Sequence, residues 1–160
     1  MDQHHNLVIE QTSKTPKIDF NHLNGELLLF GKSIPENAAK VYEPVFNWVN
    51  EYILHARPIT NLRIHLDYFN TSTSLWISKI IRVLNQISNP DYLFMIHLYI
   101  PLEEYINLKE FDDLSDLFNP ISNVSNNNSA CVGLKVHAVN NKSEIVKRAL
   151  ILFHADRLMD

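Results

Sequence analysis

The sequence predicts an α/β fold, a mixed β-sheet with helices packed against it, and three observations carry that prediction. Short runs near the N-terminus read as strands separated by turn residues; the apolar spacing becomes helical after residue 34; strand-like and helix-like runs then alternate as far as residue 118. Such alternation needs crossover connections, which put parallel strand pairs inside the sheet.

The elements follow in order. "LVIEQT", "KIDF" and "NHLNGELLLF" are extended, and Asn24-Gly25 lies between apolar runs, so a short strand followed by a β-hairpin is expected. In "GKSIPENAAKVYEPVFNWVNEYILHA" the residues Val41, Val45, Trp48, Val49, Tyr52 and Ile53 share one helical face. Ser33 and Glu36 have the spacing of a capping box, with Pro35 in the permissive first turn, and Pro44 predicts a kink. "TNLRIHLDYF" is extended again, and "STSLWISKIIRVLNQIS" is helical through Trp76, Ile80, Val83, Leu84 and Ile87. "DYLFMIHLYI" is apolar enough for a central strand, and "PLEEYINLKEFDDLSDLF" reads as an acidic amphipathic helix. These elements make an α/β domain over residues 1–118. An Asn/Ser-rich loop is expected over 119–130. Residues 131–160 are then a strand, "CVGLKVHAV", and a helix, "KSEIVKRALILFHADRL", docked on the same domain because they are too short for a core of their own.

Length and charge narrow the function. A chain of 160 residues can bury a full core without staples. With 14 Lys+Arg against 18 Asp+Glu and no basic stripe, a nucleic-acid partner is not expected. Cys131 is the single cysteine, so no intramolecular disulfide forms, and the Cys/His spacing of a zinc site is missing. Neither a signal peptide nor a membrane-spanning run is recognisable, and the expected location is the cytoplasm. Catalytic constellations are also lacking: "GKSIPEN" departs from the P-loop spacing, the eight histidines contain no His-x-x-x-His pair, and Asp67, Glu36, Glu103 and Glu104 form no paired-carboxylate pattern. No enzyme, cofactor or metal is therefore expected.

What stands out is "NTSTS", in which Thr71, Ser72, Thr73 and Ser74 sit where a strand gives way to a helix. One of these hydroxyls can serve as an ordinary helix cap. A cap uses only one of the four, however, and the first turn carries no Asp or Glu, so its N–H groups meet no competing carboxylate. A phosphate is tolerated there. Its charge of about −1.5 to −2 forced into a closed interface costs several kcal/mol, when about 1.4 kcal/mol is already tenfold in affinity.

Three segments, "TSKTPKIDF", "NGELLLFGKSIPENAAKVYEPVFNWVNEY" and "LDYFNTSTS", resemble the SiaC family of bacterial regulatory phosphoproteins over about half the chain, Ile9 to Leu84. The resemblance implies a STAS-like fold and a phosphoacceptor at the Thr of Tyr-Phe-Asn-Thr, here Thr71. It also implies three partners: a SiaB-like kinase, a SiaA-like PP2C-type phosphatase, and an effector such as a SiaD-like diguanylate cyclase, bound in the unphosphorylated form and controlling cyclic-di-GMP and biofilm formation. Tyr68, Phe69, Asn70, Ser72, Thr73 and Ser74 then form the phospho-turn, and Ser33, Pro35, Glu36 and Asn37 a neighbouring docking patch. This chain departs from the family after the apolar strand, where Pro101 intervenes and the acids are spaced out, and its tail is longer. Two alternatives stay open: a constitutive scaffold or small-ligand module in which Thr71 is only a cap, and modification at Ser72 or Thr73.

Overall fold

The computed structural model describes residues 4–106 and 129–153, with side chains described as far as Leu150. Seven strands form one sheet in sequential order: β1 (Leu7–Ile9), β2 (Lys17–Asn21), β3 (Glu26–Ser33), β4 (Ile59–Phe69), β5 (Leu93–Pro101), β6 (Cys131–Val139) and β7 (Ile145–Phe153). The pairs β1/β2, β2/β3 and β6/β7 are antiparallel, and the three central pairs from β3 to β6 are parallel. Helix α1 (Ala38–Tyr52) crosses from β3 to β4, α2 (Thr71–Leu84) from β4 to β5, and a short α3 (Leu102–Ile106) follows β5. Both long crossovers step to the next strand in the same direction, so the right-handed rule puts α1 and α2 on one face, where they pack together. Phe46 and Trp76 meet edge to face between them, 6.2 Å apart.

The core lies between that face and the helices. Alternate strand residues, Ile18 and Phe20, Leu27 and Leu29, Leu62 and Ile64, Phe94 and Ile96, Val132 and Leu134, join Val45, Val49, Ile77 and Ile81 in one buried cluster. At roughly 1.5–3 kcal/mol for each fully buried large aliphatic or aromatic side chain, this cluster is the main stabilising term. The opposite face is polar and aromatic. A register row runs across it through Phe30, His65, Tyr99, His137 and Arg148. From the Arg148–His137 end of that row a hydrogen-bond chain runs in a fixed direction. Arg148 Nε donates to His137 Nδ1 (3.3 Å), so His137 Nε2 donates to His97 Nδ1 (3.0 Å) and His97 Nε2 to Asn61 Oδ1 (2.8 Å). Asn61 Nδ2 closes it on the Glu26 carboxylate (3.0 Å), which also holds Arg63.

The β-hairpin expected at Asn24-Gly25 is present as β2 and β3, with Asn21 opposite Glu26 and a loop over residues 22–25. Asn21 Oδ1 accepts from the N–H groups of Leu23 and Asn24, and Gly25 completes the loop at a φ of 74°. Several expectations need correction. Helix α1 begins later than the capping-box reading places it: Asn37 is the N-cap, accepting from Lys40 N–H, while Ser33 ends β3 and Glu36 pairs with Lys14 at 3.2 Å. Pro44 lies inside the helix on its exposed side. Where a helix is expected from Lys142 onward, residues 145–153 form β7 instead, and the end of that expected helix lies outside the described residues. Its apolar residues satisfy helical spacing, but β6 offers an open edge, and the turn at Asn140–Ser143 folds the chain back onto it. Of the acidic helix expected over residues 101–118, Pro101 belongs to β5 and α3 covers 102–106. The remainder, and most of the expected 119–130 loop, lie outside the described residues.

Candidate functional site

The parallel arrangement brings the C-terminal ends of β3 and β4 side by side, Ser33 opposite Phe69, so the starts of α1 and α2 are neighbours. In open α/β sheets this is the end where loops assemble sites. Asn70 N–H donates to Ser33 C=O at 3.0 Å, and Asn70 Nδ2 donates to Pro35 C=O at 3.3 Å, tying the entry of α2 to the segment leading into α1.

Asn70 is the N-cap of α2. Its Oδ1 accepts from the Thr73 N–H (3.0 Å), the Thr73 hydroxyl (2.8 Å) and the Ser72 hydroxyl (2.9 Å). The reading of Thr71 or Ser72 as the cap is therefore corrected: the preceding asparagine does that work, and asparagine is among the best N-caps. Beneath it lies a buried hydroxyl chain. Thr73 spends its one proton on Asn70 Oδ1 and the Ser33 carbonyl, so Ser33 donates to Thr73 Oγ1 at 2.7 Å and Tyr42 donates to Ser33 Oγ at 2.6 Å. Burial raises the Tyr42 pKa, only partly opposed by its hydroxyl neighbours, which keeps this phenol a donor.

The four clustered hydroxyls thus have different fates. Thr73 is fully buried, Ser72 is half-buried on Asn70, and Ser74 donates to the Thr71 carbonyl at 2.7 Å. Thr71 is exposed, and its hydroxyl makes no hydrogen bond among the described residues. Of the other residues singled out in the sequence, Tyr68 and Phe69 are 66% and 40% exposed, and Lys32 Nζ lies 5.8 Å from the centre of the Tyr68 ring. Glu36 and Asn37 are exposed, whereas Ser33 and Pro35 are buried and support the turn from below. Pro35, Glu36 and Asn37 also border a cleft of about 490 Å³ with Lys14, Pro16 and Lys40. Sequence reasoning missed Tyr42, whose position on the apolar face of α1 marks it only as core. It also missed the His97–His137 pair, because the two residues are 40 apart in the chain.

Among the described residues no group of His, Cys, Asp and Glu is placed to hold a metal ion, and no helix is long and apolar enough to cross a membrane. Among the described residues the arrangement at the start of α2 bonds its hydroxyls to one another, to Asn70 and to backbone carbonyls rather than to a histidine or carboxylate. It offers a presented hydroxyl on a rigid turn with exposed aromatic and charged neighbours.

An uncharacterized protein of Pseudomonas aeruginosa strain UCBPP-PA14 is 30% identical over 80 residues, covering 50% of this chain and 64% of that protein, so the match spans less than two thirds of the relative. The crystal structure of apo-SiaC from Pseudomonas aeruginosa superposes with a TM-score of 0.57 at 22% identity, covering 72% of this chain and 88% of that one. A chain from the crystal structure of the diguanylate cyclase SiaD in complex with its activator SiaC, from the same organism, gives 0.60 at 22% identity, covering 69% and 90%. These superpositions establish the shared mixed α/β fold. The model of the SiaC family regulatory phosphoprotein matches residues 9–126, which include the whole turn from Tyr68 to Ser74, and the chain belongs to that family.

Proposed function

We infer that this protein is a non-enzymatic signalling adaptor in which reversible phosphorylation of Thr71 selects the partner. A SiaB-like kinase adds the phosphate, a SiaA-like PP2C-type phosphatase removes it, and the unphosphorylated form binds and activates an effector. The effector class favoured by the SiaD–SiaC complex is a diguanylate cyclase, which makes cyclic-di-GMP and biofilm formation the downstream outputs. One observation carries the choice of residue: of the four clustered hydroxyls, Thr71 alone is both exposed and unengaged. The exposed Tyr68, Phe69, Glu36 and Asn37 around it suit a partner surface.

Because Asn70 supplies the cap, substitution at Thr71 leaves the helix start in place, and its effects report on binding. Thr71→Glu is expected to weaken effector binding at least tenfold, about 1.4 kcal/mol, while Thr71→Ala binds like the unmodified protein. Isothermal calorimetry against a purified diguanylate cyclase from the same cell reads both. Equal affinity of wild type, Thr71→Glu and stoichiometrically phosphorylated protein would overturn the switch and leave a constitutive scaffold.

A further inference from the structure

We propose that Asn70 is a positioning residue that restricts phosphorylation to Thr71 by keeping the neighbouring Ser72 hydroxyl engaged. The proposal rests on the switch reading above and goes beyond it by assigning the choice among adjacent hydroxyls to one amide.

Ser72 has one hydroxyl proton, and it goes to Asn70 Oδ1 at 2.9 Å. No second acceptor for it occurs among the described residues. Ser72 is only half-buried, so what withholds it from a kinase is this bond rather than depth. Thr73 differs. It is fully buried and keeps two contacts to Ser33, hydroxyl and carbonyl, that do not involve Asn70. Ser74 is bonded to the Thr71 carbonyl, also independently of Asn70. Removing the Asn70 side chain therefore frees Ser72 and leaves Thr73 and Ser74 held.

The amide orientation is itself locked. Donors from Ser72 and Thr73 converge on Oδ1, and Nδ2 faces the Pro35 carbonyl, so a flipped amide would set donor against donor and acceptor against acceptor. The buried chain from Tyr42 through Ser33 to Thr73 ends on the same oxygen and holds it in place. In the transfer reaction the attacking hydroxyl oxygen forms a P–O bond to the γ-phosphorus of a nucleoside triphosphate. The β–γ bridging bond breaks, nucleoside diphosphate leaves, and the hydroxyl proton passes to the kinase. Any hydroxyl on this turn that is exposed and unengaged is an acceptor in chemical terms, and Asn70 reduces the set to one.

The test is phosphosite mapping by mass spectrometry on full-length wild type, Asn70→Gly, Asn70→Ala and Asn70→Asp, each purified from the native cell. Glycine is nearly as good an N-cap as asparagine, so Asn70→Gly keeps the helix start while removing the amide, and aspartate keeps the accepting oxygen. Circular dichroism and thermal melting confirm that each variant is folded. The expected result is phosphate on Thr71 alone in wild type and Asn70→Asp, and on both Thr71 and Ser72 in Asn70→Gly and Asn70→Ala, with Ser72 carrying at least a tenth of the total. A loss of helix stability alone would lower the overall yield without moving phosphate to Ser72. Phosphate confined to Thr71 in folded Asn70→Gly would overturn the proposal while leaving the switch intact. Phosphate found only on a residue other than Thr71 in wild type, or on none, would overturn the switch reading and this inference with it.

Discussion

Gly25 shows how one residue can be fixed by both its backbone and its surroundings. Its φ of 74° lies in the left-handed region, and a Cβ placed there would overlap the carbonyl oxygen of Ile59. Gly25→Ala is expected to destabilise the protein by at least ~2 kcal/mol, since the left-handed region alone costs roughly 1–2 kcal/mol for an L side chain and the overlap adds to it. A urea titration monitored by fluorescence of Trp48 and Trp76 checks this, and a midpoint unchanged from wild type would show that the loop relaxes freely. The same scale explains what was legible at the site. Thr71 could be singled out because a run of four hydroxyls at a strand-to-helix junction is a local pattern. The division of labour among those hydroxyls was not legible, because it depends on Ser33 and Tyr42, roughly 30–40 residues upstream, and on the single proton each hydroxyl can give.

At the scale of elements, the strands and the two long helices up to residue 101 could be read from periodicity, since each has a partner that enforces the same pattern. The helix caps differ from the sequence reading where a nearby asparagine competes. Ser33 matches a capping box in sequence, yet its hydroxyl is drawn into the core by Tyr42 and Thr73, and Asn37 takes the role. The C-terminal segment departs from its helical expectation for a different reason. Ile145, Val146, Ala149 and Leu150 are compatible with either period, and the decision is made by the unpaired edge of β6, which local sequence does not display. A chain ending at Asn140 would leave β6 unpaired along one side, so the expected outcome is loss of most soluble protein, read by size-exclusion chromatography after expression. Recovery of a soluble monomer would show that β6 does not need its partner.

Across the whole molecule, the polar face makes stability depend on acidity in a defined window. His97 and His137 are held neutral with pKa values of about 4 against an ordinary 6.5, first by burial and then by the positive charges facing them: Arg63 and Lys135 for His97, Arg148 and Lys135 for His137. The pKa of Glu26 is lowered as well, by a different balance. Burial alone would raise its pKa, but Arg63 and Asn61 more than offset that and lower it. Between pH 6.5 and about 4 the unfolded chain binds protons that the folded imidazoles refuse, so stability falls as pH is lowered through this range. Denaturant midpoints at pH 7, 5.5 and 4.5 should decline in that order, and His97→Gln with His137→Gln should flatten the decline. A flat profile in wild type would show that the histidines titrate normally.

The strictly sequential order of the sheet also has a meaning in time. Each strand hydrogen-bonds to the one made just before it, so the sheet can grow from β1 to β7 in the order of synthesis without inserting a late strand between two early ones. β5, buried from Phe94 through Leu98, is the exception to an otherwise gentle schedule. Once it has docked on β4, its other edge waits for Cys131–Val139, and for that interval the nascent chain presents its most apolar strand to whatever surrounds the ribosome.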